Sequence, residues 1–222
     1  MTPRGRYRDR AQAGAILADH VADQVTSVAA GEQPPVVLGL PRGGVPVAAP
    51  VARRLGAPLD VLTVRKIGTP HHEELAIGAV ASGGFRVLND ELITHLRISP
   101  EAVEERTDLA RRELERREAH LRGDRPRVPL AGRTVVVVDD GLATGATMRA
   151  AVRALRSAEP AAVVVAVPVG APDSCADVAA LADVLVCPLR PPDFSAVGQW
   201  YDDFSATTDA EVIELLDAAA SG

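Results

Sequence analysis

Residues 134–147 read TVVVVDDGLATGAT, and this stretch commits the chain to its architecture. The four valines after Thr134 form a continuous apolar run without alternation, the pattern of a strand buried on both faces. Two carboxylates, Asp139 and Asp140, close the run. A short Gly/Thr loop (Gly141, Leu142, Ala143, Thr144, Gly145, Ala146, Thr147) leads into a helix with Met148, Ala151, Val152 and Leu155 on one face. In open α/β sheets such a strand end borders the ligand crevice. The loop presents backbone N–H groups and two hydroxyls at a helix N-terminus, which suits a phosphate dianion. Ionised carboxylates only accept hydrogen bonds, so the acid pair suits sugar hydroxyls or a hydrated Mg2+. The segment as a whole describes a sugar-phosphate site.

Other loops are excluded by single letters. A Walker A loop requires Lys where Ala146 stands. The strand-end Asp of haloacid-dehalogenase type needs a second Asp at position 141, which is Gly. Paired acids of the response-regulator kind are not followed by a TGAT cradle, and no GxSxG elbow occurs.

On the N-terminal side, residues 8–30 have helical apolar spacing, stopped by Gly31 and Pro34-Pro35. Residues 36–40 (VVLGL) are a second buried strand, turned by Pro41-Arg42-Gly43-Gly44 into a helix over about 45–55. The next strand is expected from Leu59 to Val64, ending in Arg65-Lys66. A polar loop with His71 and His72 follows, then a hairpin around Ser82-Gly83-Gly84. Ser99-Pro100-Glu101 starts a helix that runs to about Leu121, with a narrow stripe of Val103, Ala110, Leu114 and Leu121. Its acid-before-base spacings, Asp108–Arg112, Glu113–Arg117 and Glu118–Arg122, predict i,i+4 pairs. With eight acids and eight bases in 101–127, the charge run reads as a solvated face. On the C-terminal side, strand 162–167, helix 173–182 and strand 184–187 continue the alternation. A Pro-rich aromatic stretch spans 188–204, and a last helix covers about 208–219. The order predicts an α/β fold, a mostly parallel sheet with helices on both faces.

The chain has 222 residues, 47% of them apolar, with 24 basic against 30 acidic side chains and a net charge of −6. That length suits one domain. The charge argues against nucleic-acid and membrane-surface binding, both of which need a local positive excess. No apolar run approaches ~18 residues. The N-terminal arginines precede a stretch interrupted by Asp19 and His20, unlike a signal peptide. Cys175 and Cys187 lack metal-ligand spacing and read as half-buried thiols of a cytoplasmic protein. Of the 24 bases only Lys66 is Lys, so a compact ammonium is expected to have a use there. Four of the six aromatics, Phe194, Trp200, Tyr201 and Phe204, fall within eleven residues, enough to line a site for something flat.

VVVVDDGLATGAT resembles the phosphoribosyl-pyrophosphate signature of type I phosphoribosyltransferases. PRGG (41–44) resembles that family's pyrophosphate loop, in which a non-proline cis peptide is common. RKIGTPHHEELAIGAV (65–80) resembles the segment carrying the mobile catalytic loop, and PPDFSAVGQWYDDF (191–204) the C-terminal hood. The resemblance covers nearly the whole chain except 99–122, and is strongest to a bacterial subgroup of unassigned acceptor. It implies a single domain over 1–222: a core of about 31–187 with a helical insertion at 99–122, and a hood from about 1–30 and 188–222.

By resemblance, Asp139 and Asp140 hold the ribose hydroxyls, with Mg2+ bridging ribose and pyrophosphate through substrate or water. Residues 143–147 bind the 5-phosphate. Arg42, Gly43 and Gly44 contact pyrophosphate, and Lys66 reaches it from the neighbouring strand end. Ala143 stands where 6-oxopurine enzymes carry an Asp and where adenine and orotate enzymes also carry Ala. Adenine enzymes use a Glu on the mobile loop. Here Glu73 and Glu74 lie in that segment beside His71 and His72, so one of these four is the candidate to handle the proton after the loop closes. Equally, the loop holds no catalytic side chain if the acceptor is itself acidic. Phe194, Trp200 and Tyr201 would stack on a nitrogenous heteroaromatic acceptor, worth ~1–3 kcal/mol per stacked base. PDF is separated from VG here by Ser195-Ala196, a departure from the purine-enzyme hood. The implied reaction is Mg2+-dependent phosphoribosyl transfer with release of pyrophosphate. The alternative is a non-catalytic sensor of the same donor or of a nucleotide. The resemblance also implies a homodimer, and the net charge argues against a nucleic-acid partner.

Overall fold

Val135 to Val138 lie at the centre of a parallel sheet and expose nothing to solvent. The computed structural model describes residues 5–28, 33–70, 72 and 74–221. In chain order the first elements are α1 (Arg10–Val28), β1 (Val36–Gly39), α2 (Gly44–Leu55), β2 (Leu59–Val61), β3 (Val64–Gly68), β4 (Ala76–Ala81) and β5 (Phe85–Leu88). There follow α3 (Asp90–His95), α4 (Pro100–Arg122), β6 (Thr134–Val138), α5 (Ala146–Arg156), β7 (Ala162–Ala166), α6 (Pro172–Ala179), β8 (Val184–Val186) and α7 (Asp209–Ala220). The core sheet has the order β2-β1-β6-β7-β8 and all its pairs are parallel. β1 and β6 are neighbours, Gly39 opposite Val138, yet their following connections depart to opposite sides. Such a switch point leaves a crevice at the strands' carboxyl ends. It is bordered by Pro41–Gly44 on one side and Asp139–Thr147 on the other.

Helices α1, α2 and α7 cover one face, with Leu17, Val21, Val45, Val212 and Leu216 clustered on Val37 and Val136. Helices α5 and α6 cover the other through Met148, Val152, Leu155 and Val178 on Val135 and Val137. The expected assignment of both terminal helices to a hood is therefore corrected: their apolar stripes are core layers. Among the described residues, the material over the strand ends comes from around Tyr7 and Arg10 and from the stretch 188–205. There Tyr7 N–H donates to Trp200 O at 2.8 Å and Asp202 N–H to Tyr7 O at 2.8 Å.

The expected strand 59–64 is two strands in two sheets. Leu62 N–H still bonds Gly39 O, but Thr63 N–H turns to Ser82 Oγ at 2.9 Å and Thr63 O accepts from Ser82 N–H. Thr63 thus hands the chain to an antiparallel sheet of order β3-β4-β5, whose tight turn falls at Gly83-Gly84, both with positive φ.

Helix α4 packs on that small sheet, with Val103, Ala110 and Leu114 against Ile67, Ile77 and Val80, while Leu121 joins the main core. Its charges do not form a uniformly solvated face. Glu118 is 2% exposed and Arg122 6%, and Arg122 donates to Glu118 at 2.6 Å and to Asp60 at 2.5 Å. Arg127 adds a second guanidinium on Glu118. Of the three predicted i,i+4 pairs only Glu118–Arg122 forms. Arg111 takes Asp108, Glu113 turns to Arg65, and Arg117 leaves the helix for Asp209. Exposed i,i+4 pairs are worth only a few tenths of a kcal/mol, so partners from elsewhere in the fold or on the same helix displace them readily. Cys175 and Cys187 are more buried than expected, their sulfurs 3.7 Å apart.

Candidate active site

The acid pair sits at the end of β6 because the valine run has nowhere to go but the sheet interior. Asp139 Oδ1 accepts the N–H of Asp140 at 2.9 Å. Asp140 Oδ2 accepts from Arg10 Nε at 2.8 Å. Burial pushes the Asp139 carboxyl well above the usual carboxylate range, and the Asp140 charge adds to the shift. Burial raises Asp140 too, opposed by the hydrogen bond and charge of Arg10. Two crowded carboxylates sharing one guanidinium form a site short of positive charge and of donors.

Across the crevice, the Pro41–Arg42 peptide is cis, as the resemblance implies for this loop. Gly43 has no room for a side chain: a Cβ there would lie 2.0 Å from Asp140 Oδ2. At Gly44 it would meet Val138 O at 2.6 Å. The loop backbone is therefore pressed against the acid pair, and both glycines are required by that approach. Arg42 points outward, its guanidinium 3.8 Å from Asp209 Oδ1.

The 141–147 loop passes through Gly145, at φ +69°, the left-handed cap from which α5 starts. Thr144 and Thr147 are exposed, and Ala146 N–H faces Thr144 Oγ1 at 3.4 Å. Ala143 is exposed, with its carbonyl held by Ser174 Oγ at 2.5 Å. Free amides of a first helical turn thus surround a solvent-open cradle, the arrangement that binds phosphate.

Lys66 is placed differently from expectation. Neighbours on a strand point to opposite faces. Lys66 faces α5, lining a cavity of about 270 Å³ with Ala146, Arg149 and Arg153. Arg65 instead lines a cavity of about 460 Å³ with Pro41 of the pyrophosphate-type loop and Thr147 of the phosphate-type loop. The cation next to both loops is Arg65, near the start of β3 and one residue away from the position the sequence suggests.

Tyr201 is also corrected. It is 1% exposed, its ring packed against Tyr7 and Phe204, and its O–H donates to Asp140 O at 2.6 Å. It braces the acid pair instead of offering a face. Phe194 and Trp200 stand half-buried beside this cluster. Trp200 Nε1 is buried without a hydrogen-bond partner among the described residues. Glu74 is exposed, and Glu73 and His71 lie outside the described residues.

Arg10 has a place in the site that sequence reasoning missed. Besides Asp140, it donates to Ser205 O at 2.7 Å and lies 3.9 Å over the Phe204 ring. No local motif marks it, because it arrives from 130 residues away. The one usable signal is an arginine opening the amphipathic α1.

A Mg2+ implied by the fold family can be tested against these groups. Mg2+ takes one or two carboxylates and keeps its other ligands as water or substrate oxygen. No cluster of three or more His, Cys, Asp or Glu suited to a metal occurs among the described residues, so they form no protein-only cage. Two charge-starved carboxylates at an open crevice fit the substrate-assisted mode. Asp139 and Asp140 are the residues that would hold the ion.

Comparison with known proteins gives the same class. The family model "Phosphoribosyl transferase domain" matches residues 9–204. The "Putative phosphoribosyl transferase Rv0571c" of Mycobacterium tuberculosis H37Rv is 49% identical over 96% of this chain and 47% of that protein. Its counterpart in strain CDC 1551 matches equally. This chain thus spans about half the length of those curated relatives. The crystal structure of TT1426 from Thermus thermophilus is 45% identical, covers 95% of this chain and 97% of that one, and superposes with a TM-score of 0.82. The chain belongs to the phosphoribosyl transferase domain family.

Proposed function

We propose that the chain transfers the 5-phosphoribosyl group from phosphoribosyl pyrophosphate to a nitrogenous, heteroaromatic acceptor and releases pyrophosphate. The observation that supports this most directly is the close approach of the Gly43 backbone to Asp140, where a Cβ would lie 2.0 Å from Oδ2, so that the 41–44 loop and the acid pair border one crevice. In this reading Asp139 and Asp140 accept hydrogen bonds from the ribose hydroxyls, and Mg2+, when bound, supplies charge neutralisation for the leaving pyrophosphate. The amides of residues 143–147, with Thr144 and Thr147, hold the 5-phosphate. Arg42, Arg65 and the amides of Gly43 and Gly44 bind pyrophosphate. Bond breaking at the anomeric carbon builds positive charge on the ribose, which the acid pair stabilises, and negative charge on pyrophosphate, which the arginines stabilise. Lys66, on the far face of β3 beside Ala146, acts as a second cation near the phosphate cradle. Phe194 and Trp200, half-buried beside the Tyr7 and Tyr201 rings, flank the acceptor. Glu74, or Glu73 next to it, takes the acceptor proton when the 69–75 loop closes.

The test measures pyrophosphate release from the donor and Mg2+ against purines, pyrimidines and small amines, with Asp139→Asn/Asp140→Asn as blank. Release with one acceptor class, absent in the blank, supports transfer and names the acceptor. Tight donor binding with no release by any acceptor would replace the enzyme with a sensor.

A further inference from the structure

The helix α4, for which the family resemblance supplies no role, reaches the donor crevice. The 460 Å³ cavity between Pro41 and Thr147 is also lined by Arg116 and Arg117 of α4, with Arg65 from β3. Its lining thus carries three guanidiniums and one carboxylate, Glu113, so its net character is cationic. Glu113 is engaged with Arg65. Arg117 is held bidentate by Asp209 at 2.6 and 2.7 Å. Arg116 is exposed and has no partner among the described residues. Thr63, which also lines the cavity, is 8% exposed, and its Oγ1 is buried with no hydrogen-bond partner among the described residues. A buried hydroxyl left unpaired is costly unless a ligand or water completes it.

Asp209 adds a second feature. Its one carboxylate faces Arg117, Arg42 at 3.8 Å and His120 at 3.2 Å. The hydrogen bond from Arg117 holds the Asp209 carboxyl below the usual carboxylate range, with the Arg42 and His120 charges adding. One anion shared among two guanidiniums and an imidazole leaves a positive surplus beside the cis-peptide loop. An incoming polyanion can therefore draw on cations from β3, the loop and α4 together.

We propose that α4 is an anion-binding element of this site, and that Arg116, seconded by Arg117, binds the pyrophosphate end of the donor. This rests on the donor site proposed above. It makes 99–122 part of the binding surface instead of a structural appendage, and Arg116 its most accessible cation.

The test titrates inorganic pyrophosphate with Mg2+, and separately ribose 5-phosphate, into the full chain and its variants. Arg116→Gln is expected to weaken pyrophosphate binding about tenfold, the usual scale of one charge-assisted contact, without lowering Tm. Arg116→Lys, which keeps the charge but not the planar fork, should recover part of the loss. Arg112→Gln, an exposed arginine one turn earlier, should bind as wild type. Ribose 5-phosphate binding should be the same in all four proteins. Wild-type pyrophosphate affinity in Arg116→Gln overturns the inference and leaves the donor site intact. So does an equal loss in Arg112→Gln, which would reduce the effect to overall charge, or an equal loss of ribose 5-phosphate. If wild type binds neither probe, the donor-site reading itself falls, and this inference with it.

Discussion

The end of β6 and the lid of residues over it are built in opposite ways. The first is one contiguous segment: strand, acid pair, loop and helix cap within residues 134–147, each element fixed by its neighbours in sequence. The second is an assembly of remote pieces. Tyr7 and Arg10 come from the N-terminal region, Tyr201, Phe204 and Ser205 from the C-terminal region, and they meet only through contacts such as Tyr201 O–H on Asp140 O. The difference separates two roles for charge. At the end of β6, two crowded carboxylates share a single guanidinium, that of Arg10. In the lid and over most of α4, charge is paired and tethers elements.

Variants test that division, beginning with the largest effect. Asp139→Asn or Asp140→Asn should lower kcat for pyrophosphate release by about 10²–10³-fold, as loss of a preorganised electrostatic group does. Glu118→Ala should leave the reaction of the folded protein unchanged but destabilise it by about 3–5 kcal/mol, since Arg122 and Arg127 lose a buried partner. Urea unfolding measures that. Arg10→Ala tests the overlap, because Arg10 serves both regions. It should cost roughly 1–3 kcal/mol and also reduce kcat/KM by about tenfold, whereas loss of stability alone would make it a tether only.

A smaller effect has the opposite sign. The Asp139 pKa is raised on folding, so its contribution to stability is present at low pH and is lost as pH rises from the ordinary carboxylate range through the folded value. Asp139→Asn should therefore raise the ligand-free Tm at neutral pH by about 2–4 °C, the shift roughly 1 kcal/mol produces in a chain of this size. Its Tm should also respond less to pH there. Asp183, held below the usual range chiefly by Arg156, behaves conversely and loses its contribution as pH falls through its folded value. The smallest effect is on the α4 surface, where Asp108→Ala should change stability by under about 0.5 kcal/mol despite its contact with Arg111.

Where an expectation fails, the failing step is geometric. Lys66 stands out because it is the only lysine, but composition does not say which face of a strand a residue occupies. The kink at Thr63, stabilised by Ser82 from the next hairpin, sets that parity. Membership of an aromatic cluster suggests a stacking face for Tyr201, yet its hydroxyl is committed to Asp140. The Glu113–Arg117 spacing is sound helix chemistry, and Asp209 competes for Arg117 from 92 residues away.

While the switch point came from β1 and β6 meeting as neighbours, local chemistry along the chain was enough to specify the mostly parallel sheet and the acid pair with its Gly/Thr loop at a strand end. Those depend on apolar runs, glycine conformations and helix starts, which act over a few residues. Only the folded arrangement decided that Arg65 and not Lys66 faces the two loops, that Arg10 pairs with Asp140, and that α4 brings Arg116 to the crevice. These depend on which segments arrive at the same place, and at that range side-chain partners are chosen by burial and distance in space.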